Sequence, residues 1–388
     1  MLANDLIALI LSMITYSVRD LIRWRSVSKQ FRKCARSVAV MENVSFRLHS
    51  IGKLRNFPNV RSLALVGATD ATVQSMCPFG NAHWSNLHFI SAKKSMLSDE
   101  GVRVLCSVAP NLRIVDIESA NVTNVALRAL SSLSNLRDLD LSNCGNVTGC
   151  DDISGFQDLK ILNLSECNVV STSWIPSGLQ CLNITYNGAC GDFSTMPNLT
   201  ELQSDVVLSG DFVFWRLKEL RICSDAFTTE KFNAMVKAVP NLEILMLGVS
   251  DLSTVSLCAI SGCRRLKELI MDQCNIQSLQ GLQYLDLLER LDLSCNDEVS
   301  DWRLLRDFAS RECILEVGFG CTNIRDADLR GCANFKKLEL CYLEYCKISL
   351  DGVYMGLARL PIKKLDVSYT GITGLELHPF FPNATIQF

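Results

Sequence analysis

Residues 136–144 read LRDLDLSNC, and the same arrangement of leucines returns 23 residues later as LKILNLSEC, residues 159–167. Three more close copies begin at Leu179 (LQCLNITYN), Leu266 (LKELIMDQC) and Leu288 (LERLDLSCN). Weaker copies begin at Val60, Trp84, Leu112, Leu199, Leu217, Leu242, Ile314, Phe335 and Ile362. The fourteen copies begin 18–28 residues apart, about 23 on average. A fixed period of this length indicates one structural unit stacked many times.

The pattern L-x-x-L-x-L-x-x-N/C resembles the leucine-rich-repeat signature. The alternation inside each copy predicts a short strand whose leucines point inward. The resemblance implies an α/β fold, a leucine-rich-repeat solenoid shaped as a horseshoe with a parallel concave sheet, over residues 41–388. No repeat buries its apolar face alone, so stability comes from the interfaces between neighbouring repeats.

The segments between the copies predict the returns along the convex side. Four of them have helical patterns, at residues 99–112, 124–133, 229–242 and 301–313. The copies that begin at Leu159, Leu179 and Leu199 are only 18–20 residues long. They are too short for a long helix and are expected to return as turns or short 3₁₀ segments.

The chain has eighteen cysteines, but no Cys-x-x-Cys and only four scattered histidines. Cys144, Cys167 and Cys274 occupy the last position of the repeat, as do Asn187 and Asn296. A side chain there is expected to face inward and to bond the backbone of the adjacent turn. A metal-binding or catalytic role for these thiols is the alternative. The chain contains no P-loop, Gly-x-Ser-x-Gly or His-Glu-x-x-His. We therefore expect a protein that is not an enzyme and has no cofactor or metal.

The first forty residues differ in charge from the rest. They carry seven Arg or Lys and two Asp, a net charge of +5, whereas the whole chain carries −3. A signal peptide is not expected because no basic residue precedes the apolar run. The run ends by Tyr16, short of the roughly 20 residues of a membrane-spanning helix. A mitochondrial leader is the alternative, since the stretch is rich in Arg and poor in acids. Apolar residues three and four apart, with a capping-box-like Ser17 and Asp20, predict instead a folded helical module over residues 1–40.

Residues 2–35 resemble an F-box. The resemblance rests on Leu2, Asp5 and Leu6, on ILS at 10–12, on DLIR at 20–23 and on VSKQFR at 27–32. This sequence departs from the family's pattern with Ala3 for Pro, Ser28 for Cys and Phe31 for Trp, and with a longer loop. Phe31 keeps an aromatic anchor.

An F-box followed by leucine-rich repeats is similar to the F-box/leucine-rich-repeat protein family. The resemblance implies that the module binds a Skp-type adaptor, that this adaptor binds a cullin–RING ubiquitin ligase, and that the repeats hold the substrate. The expected adaptor-binding residues, unless all form the core of the module, are Leu2, Leu6, Ile10, Leu21, Trp24, Val27 and Phe31. The chain is thus predicted to be a cytoplasmic or nuclear substrate-recognition adaptor. The alternative is a structural scaffold of a larger complex, such as the axonemal dynein regulatory complex of the flagellar axoneme.

The concave face is predicted to be acidic. Its residues lie two, four and six positions after the first leucine of each copy, and 13 of these 42 positions are acidic while four are basic. The acids that we expect to select a partner are Asp116, Glu118, Asp138, Asp140, Asp205, Glu268, Asp272, Asp292, Glu339 and Asp366. An excess of one sign on a surface attracts the other, so a basic protein partner is expected. The alternative is that Asp is simply common four positions after the first leucine (offset four) in repeats of this type. This would explain Asp140, Asp292 and Asp366. Nucleic acid and membrane are not expected partners.

Overall fold

The computed structural model describes residues 16–17, 44–47, 60–77, 84–149, 153, 155–187, 192–208, 211–224 and 227–388. The chain divides into two compact units, Met1–Met196 and Pro197–Phe388. Most residues of the predicted F-box-like module, including all seven expected adaptor-binding residues, lie outside the described residues. Tyr16 and Ser17 are described, and they form a two-residue strand.

The first unit is a ladder of parallel strands, each paired with the next in chain order. The strands are β1 (Tyr16–Ser17), β2 (Val44–Arg47), β3 (Ser62–Val66), β4 (Phe89–Ser91), β5 (Ile114–Asp116), β6 (Asp138–Asp140), β7 (Ile161–Asn163) and β8 (Cys181–Asn183). The helices among its described residues are α1 (Asp70–Gln74), α2 (Asp99–Val108) and α3 (Asn124–Leu130).

The second unit is a parallel ladder of the same kind. Its strands are β9 (Glu201–Ser204), β10 (Glu219–Ile222), β11 (Ile244–Met246), β12 (Glu268–Ile270), β13 (Arg290–Asp292), β14 (Glu316–Gly318), β15 (Leu340–Tyr342), β16 (Lys364–Asp366) and β17 (Thr385–Gln387). Its helices are α4 (Thr229–Ala238), α5 (Asp326–Leu329), α6 (Leu350–Leu357) and α7 (Gly374–Leu377). The 3₁₀ segments are Leu257–Gly262, Leu282–Tyr284, Trp302–Asp307, Ala309–Glu312 and Arg330–Asn334.

The repeat leucines form the core of each unit. The central residue of β6, Leu139, is fully buried, and so are Leu291 of β13 and Leu365 of β16. The residues on either side of each of these leucines are half-exposed on the other face of the sheet. Burying one such leucine contributes about 1.5–3 kcal/mol, so a column of them stabilises the stack. The leucine-rich-repeat solenoid predicted from the sequence is confirmed.

Two repeat starts were predicted three residues too early. Strand β4 shows that its repeat begins at Leu87 rather than Trp84, and β15 shows that its repeat begins at Leu338 rather than Phe335. In both cases a buried aromatic residue three positions before the leucine imitates the spacing of the motif. Pairing with the neighbouring strands fixes the true register.

The predicted helical returns form where the first turn is capped by a side chain. Ser98, Thr123 and Thr228 accept hydrogen bonds from backbone N–H groups at the starts of α2, α3 and α4. The return at 301–313 was predicted to be helical and is instead two 3₁₀ segments, separated at Phe308 by an extended backbone. Asp301 does not cap it, because its carboxylate accepts from Ser278 Oγ and the Leu279 N–H of the preceding repeat.

The short returns after β7, β8 and β9 have no helix in the parts of residues 164–218 that the structure describes. This agrees with the turns predicted for the repeats that begin at Leu159, Leu179 and Leu199. With 18–20 residues per repeat, the chain must cross back almost directly.

The inward position at the end of the motif is confirmed. Asn296 is fully buried, and its amide nitrogen donates to the carbonyl of Met271 in the preceding repeat at 2.7 Å. Cys167 Sγ donates to the carbonyl of Leu141 at 3.1 Å, and Cys346 Sγ donates to that of Phe319 at 3.0 Å. Burial raises the pKa of Cys167 to about 12, so the thiol keeps the proton that it donates.

Candidate interaction face

The exposed sheet face comprises the residues two, four and six positions after the first apolar residue of each repeat. With the corrected register, 13 of its 42 positions are still acidic and four are still basic. Glu344 and Lys93 take the places of Glu339 and Lys337. The acids are Asp116, Glu118, Asp138, Asp140, Glu201, Asp205, Glu219, Glu268, Asp272, Asp292, Glu316, Glu344 and Asp366. The first unit carries four of them and the second unit nine.

Three aspartates at offset four stabilise the turn that follows their strand. Asp140 Oδ1 accepts from the N–H and the hydroxyl of Ser142, at 2.9 and 2.6 Å. Asp292 accepts from the Ser294 N–H at 3.1 Å, and Asp366 from the N–H two residues later at 2.9 Å. This contact is the Asx turn, in which a short carboxylate bonds the backbone two residues later. The offset-four aspartates therefore have a structural role in addition to their charge.

The acids of the first unit form one patch. Strand pairing places Asp116 opposite Asp140. Lys93 lies 3.3 Å from Asp116 and 3.0 Å from Glu118, and these contacts, the one with Glu118 first, raise the pKa of its ammonium group. Burial raises the pKa of Asp138, and the neighbouring Asp140 and Asp116 carboxylates raise it further. The patch is therefore short of positive charge at Asp138.

Three of the acidic residues on the exposed sheet face of the second unit form ion pairs with arginines. Arg290 lies 3.2 Å from Glu316 and 3.9 Å from Glu268, and Arg221 lies 2.6 Å from Glu219. Two further predicted residues flank these strands: Asp205 follows β9, and Asp272 lies two residues beyond β12 with an oxygen against the backbone of Gly248.

The acids Asp292, Glu344 and Asp366, by contrast, crowd together. Between them, β14 ends at Gly318, and Gly320 lies two residues further on. A Cβ at Gly318 would collide with the carboxylate of Asp292, and a Cβ at Gly320 would collide with that of Glu344. Burial raises the pKa of Glu344, and the carboxylates of Asp366 and Asp292 add to the rise. Glu344 Oε2 is shielded from solvent and has no hydrogen-bond partner among the described residues. Sequence reasoning missed Glu344 only because its repeat was started three residues too early.

Glu339 does not belong to the exposed sheet face, and its assignment there was wrong. It lies one residue before β15, in a row of alternating charges at the start of the strands, and pairs with Lys363 at 2.7 Å. In the same row Glu243 lies 3.0 Å from Lys218 and 2.9 Å from Lys267. Hydrogen bonds from Lys267 and then Lys218 lower the pKa of Glu243. In the second unit, the glutamates Glu243 and Glu339 of this row are thus neutralised by lysines.

Two stacked tyrosines lie beside the acids of the second unit. Tyr345 and Tyr369 each lie seven residues after the first apolar residue of their repeat, and these repeats are adjacent. The backbone there takes φ values of 59° and 60°. Their rings stack with centroids 4.3 Å apart and an angle of 11° between the ring planes. Tyr345 is 55% exposed and Tyr369 is 76% exposed. Lys364 lies over the ring of Tyr342, 5.0 Å from its centroid. The stack could not be predicted from the sequence, because the residue type at this position differs from repeat to repeat.

No group of three or more His, Cys, Asp or Glu among the described residues is arranged to hold a metal ion. No helix in the described ranges has both the length and the apolar character needed to cross a membrane.

Solved structures of other proteins share the fold of this chain. An internalin from Listeria monocytogenes is 17% identical, with a TM-score of 0.58 over 79% of this chain and 87% of its own. A leucine-rich-repeat protein from Leptospira interrogans is 14% identical, with a TM-score of 0.58 over 92% of this chain and 98% of its own. The mouse RP105/MD-1 complex is 17% identical, with a TM-score of 0.56 over 84% of this chain and 66% of the matched chain. The chain therefore has the leucine-rich-repeat fold.

No family model matches the sequence, and no curated protein matches it.

Proposed function

We propose that this protein is a non-catalytic interaction protein whose exposed sheet face binds a basic protein segment. The observation that carries the proposal is the excess of acids there, 13 against four bases, while in the second unit the adjacent row at the strand starts is balanced by ion pairs. A partner's cations would relieve the negative charge at Asp138, and that at Glu344, which Lys364 offsets only in part. Like charges held close together on a protein also speed the arrival of an oppositely charged partner.

The finer proposal concerns the first forty residues. Their resemblance to an F-box supports a role as substrate-recognition adaptor of an SCF-type ubiquitin ligase. Residues 1–40 would bind a Skp-type adaptor, and the repeats of residues 41–388 would hold the substrate. The competing role, a scaffold subunit of a larger complex such as the dynein regulatory complex, uses the same repeats without the ligase.

Affinity purification of the full chain tests both proposals: binding through the exposed sheet face, and the role as a ligase adaptor. The key variant is Leu6→Asp with Ile10→Asp, which places charge at two residues expected to contact the adaptor. The matched control is Ser26→Asp with Gln30→Asp, which adds the same charge at two polar positions of the same predicted module. Recovery of a Skp-type adaptor and a cullin with the wild type and the control, and not with the key variant, supports the ligase role.

Recovery of a stable set of other proteins without adaptor or cullin overturns the ligase role and favours the scaffold. Loss of the recovered partner when Asp116, Asp138 and Asp140 are changed to Asn supports binding through the exposed sheet face. Binding through this face is contradicted if every partner is retained both by that variant and by a variant in which the acids of the second unit are neutralised.

A further inference from the structure

The stacked pair Tyr345 and Tyr369 is an unusual surface feature. Two large rings are held face to face with a 4.3 Å separation, yet most of each residue is open to solvent. Both belong to left-handed turns with φ near 60°, which fix where the side chains leave the backbone. The two rings therefore form one exposed aromatic platform.

Carboxylates border this platform along the chain. Glu344 immediately precedes Tyr345, and Asp366 lies three residues before Tyr369. Glu344 Oε2 has no hydrogen-bond partner in the described part of the chain, while Asp366 Oδ1 already accepts from the Ser368 N–H. The Glu344 oxygen is shielded from solvent, but Glu344 as a whole is only half-buried, so the exposed rings adjoin in the chain an acidic residue that is still partly open to solvent.

This combination matches an arginine side chain better than a lysine. A guanidinium is planar and weakly hydrated, so it can lie on an aromatic ring while its N–H groups donate to a carboxylate. An ammonium is a compact and strongly hydrated point charge, and it gains less from a flat ring. The chain itself places a cation over a tyrosine of this face, since Lys364 lies over Tyr342.

Nucleic-acid bases also stack on tyrosines, but their phosphates would meet the carboxylates of Asp292, Glu344 and Asp366. Charge complementarity therefore favours a cationic protein segment. We propose that Tyr345, Tyr369 and Glu344 form a binding site for an arginine side chain of the partner. The inference rests on the proposed function, because it specifies which cation the exposed sheet face selects.

Fluorescence anisotropy with two labelled peptides tests the inference on the full chain. One peptide alternates Arg and Gly and the other alternates Lys and Gly, with equal length and charge. We expect the Arg peptide to bind about tenfold more tightly, equivalent to about 1.4 kcal/mol. Tyr369→Leu should remove this preference and leave Lys-peptide binding nearly unchanged, whereas Tyr369→Phe should keep it.

Tyr186 supplies the matched control. It also lies seven residues after the first apolar residue of its repeat, in the first unit, and it is 67% exposed. Tyr186→Leu should leave the preference for Arg intact. Glu344→Gln should weaken the Arg peptide more than the Lys peptide.

Each other outcome has a definite meaning. Equal binding of the two peptides, abolished by neutralising the acids of the second unit, overturns the arginine site and leaves the proposed function standing. A preference for Arg that survives Tyr369→Leu also overturns the site. Absence of binding by both peptides at low salt contradicts the arginine site and the acidic-face function together. Tighter binding of single-stranded RNA than of the Arg peptide overturns the choice of partner.

Discussion

Asn296 offers the sharpest test of how neighbouring repeats hold one another. Its amide is fully buried and makes five hydrogen bonds. The oxygen accepts from the N–H groups of Cys274 and Ile276, each at 3.1 Å. The nitrogen donates to the carbonyls of Met271, Leu293 and Ser294 at 2.7, 2.8 and 3.1 Å.

Replacing Asn296 with Ala leaves the two N–H groups without their acceptor in a dry interior. A buried unsatisfied group costs about 1–3 kcal/mol, so the two donors alone set a loss of about 2–6 kcal/mol. We expect about 4 kcal/mol. Asn296→Cys should cost less, because Cys274 and Cys346 occupy the same repeat position and donate to a carbonyl of the preceding repeat.

Asn334→Ala is the matched control, since Asn334 is exposed and makes one bond to the Arg306 carbonyl at 3.3 Å. It should change the free energy of unfolding by less than about 0.5 kcal/mol. Urea denaturation followed by circular dichroism measures the stability. Hydrogen exchange at Cys274 and Ile276 reports the local opening, which matters because a solenoid need not unfold in one step. An Asn296→Ala variant within about 0.5 kcal/mol of the control, with both amides still protected, would refute the reasoning.

Three further results are expected. Reversing Asp116, Asp138 and Asp140 to Lys should slow association with the true partner more than it speeds dissociation, in surface plasmon resonance at low and high salt; rates indifferent to both charge and salt would show that the acids only shape turns. Binding should weaken as the pH falls from neutral to about 4.5, because protonation of Asp138 and Glu344, whose pKa values are raised in the free protein, competes with the partner's cation; affinity that stays constant over this range, measured by calorimetry, would contradict it. Gly320→Ala should displace the Glu344 carboxylate and weaken the Arg peptide severalfold in the anisotropy assay without changing net charge; unchanged affinity would mean that Glu344 is not a contact.

The sequence by itself determined the architecture of the repeats. LRDLDLSNC at residues 136–144 has period-two alternation with a fixed return, and a chain with fourteen such copies can bury its leucines only by stacking them. The same pattern predicted the inward position that Cys167 and Asn296 occupy. It also predicted turns after β7, β8 and β9, because chain length alone limits how far a return can reach.

Register and side-chain contacts were decided only by the tertiary structure. Phe335 and Leu338 are both buried and three residues apart, so spacing alone could not distinguish them, and Glu339 was placed on the wrong surface for that reason. Asp301 looked like the start of a helix, but bonds to the preceding repeat take its carboxylate. Tyr345 and Tyr369 are 24 residues apart in the chain and meet only because their strands are neighbours. The local pattern sets which face a residue occupies, whereas contacts between repeats depend on the pairing of strands distant in sequence.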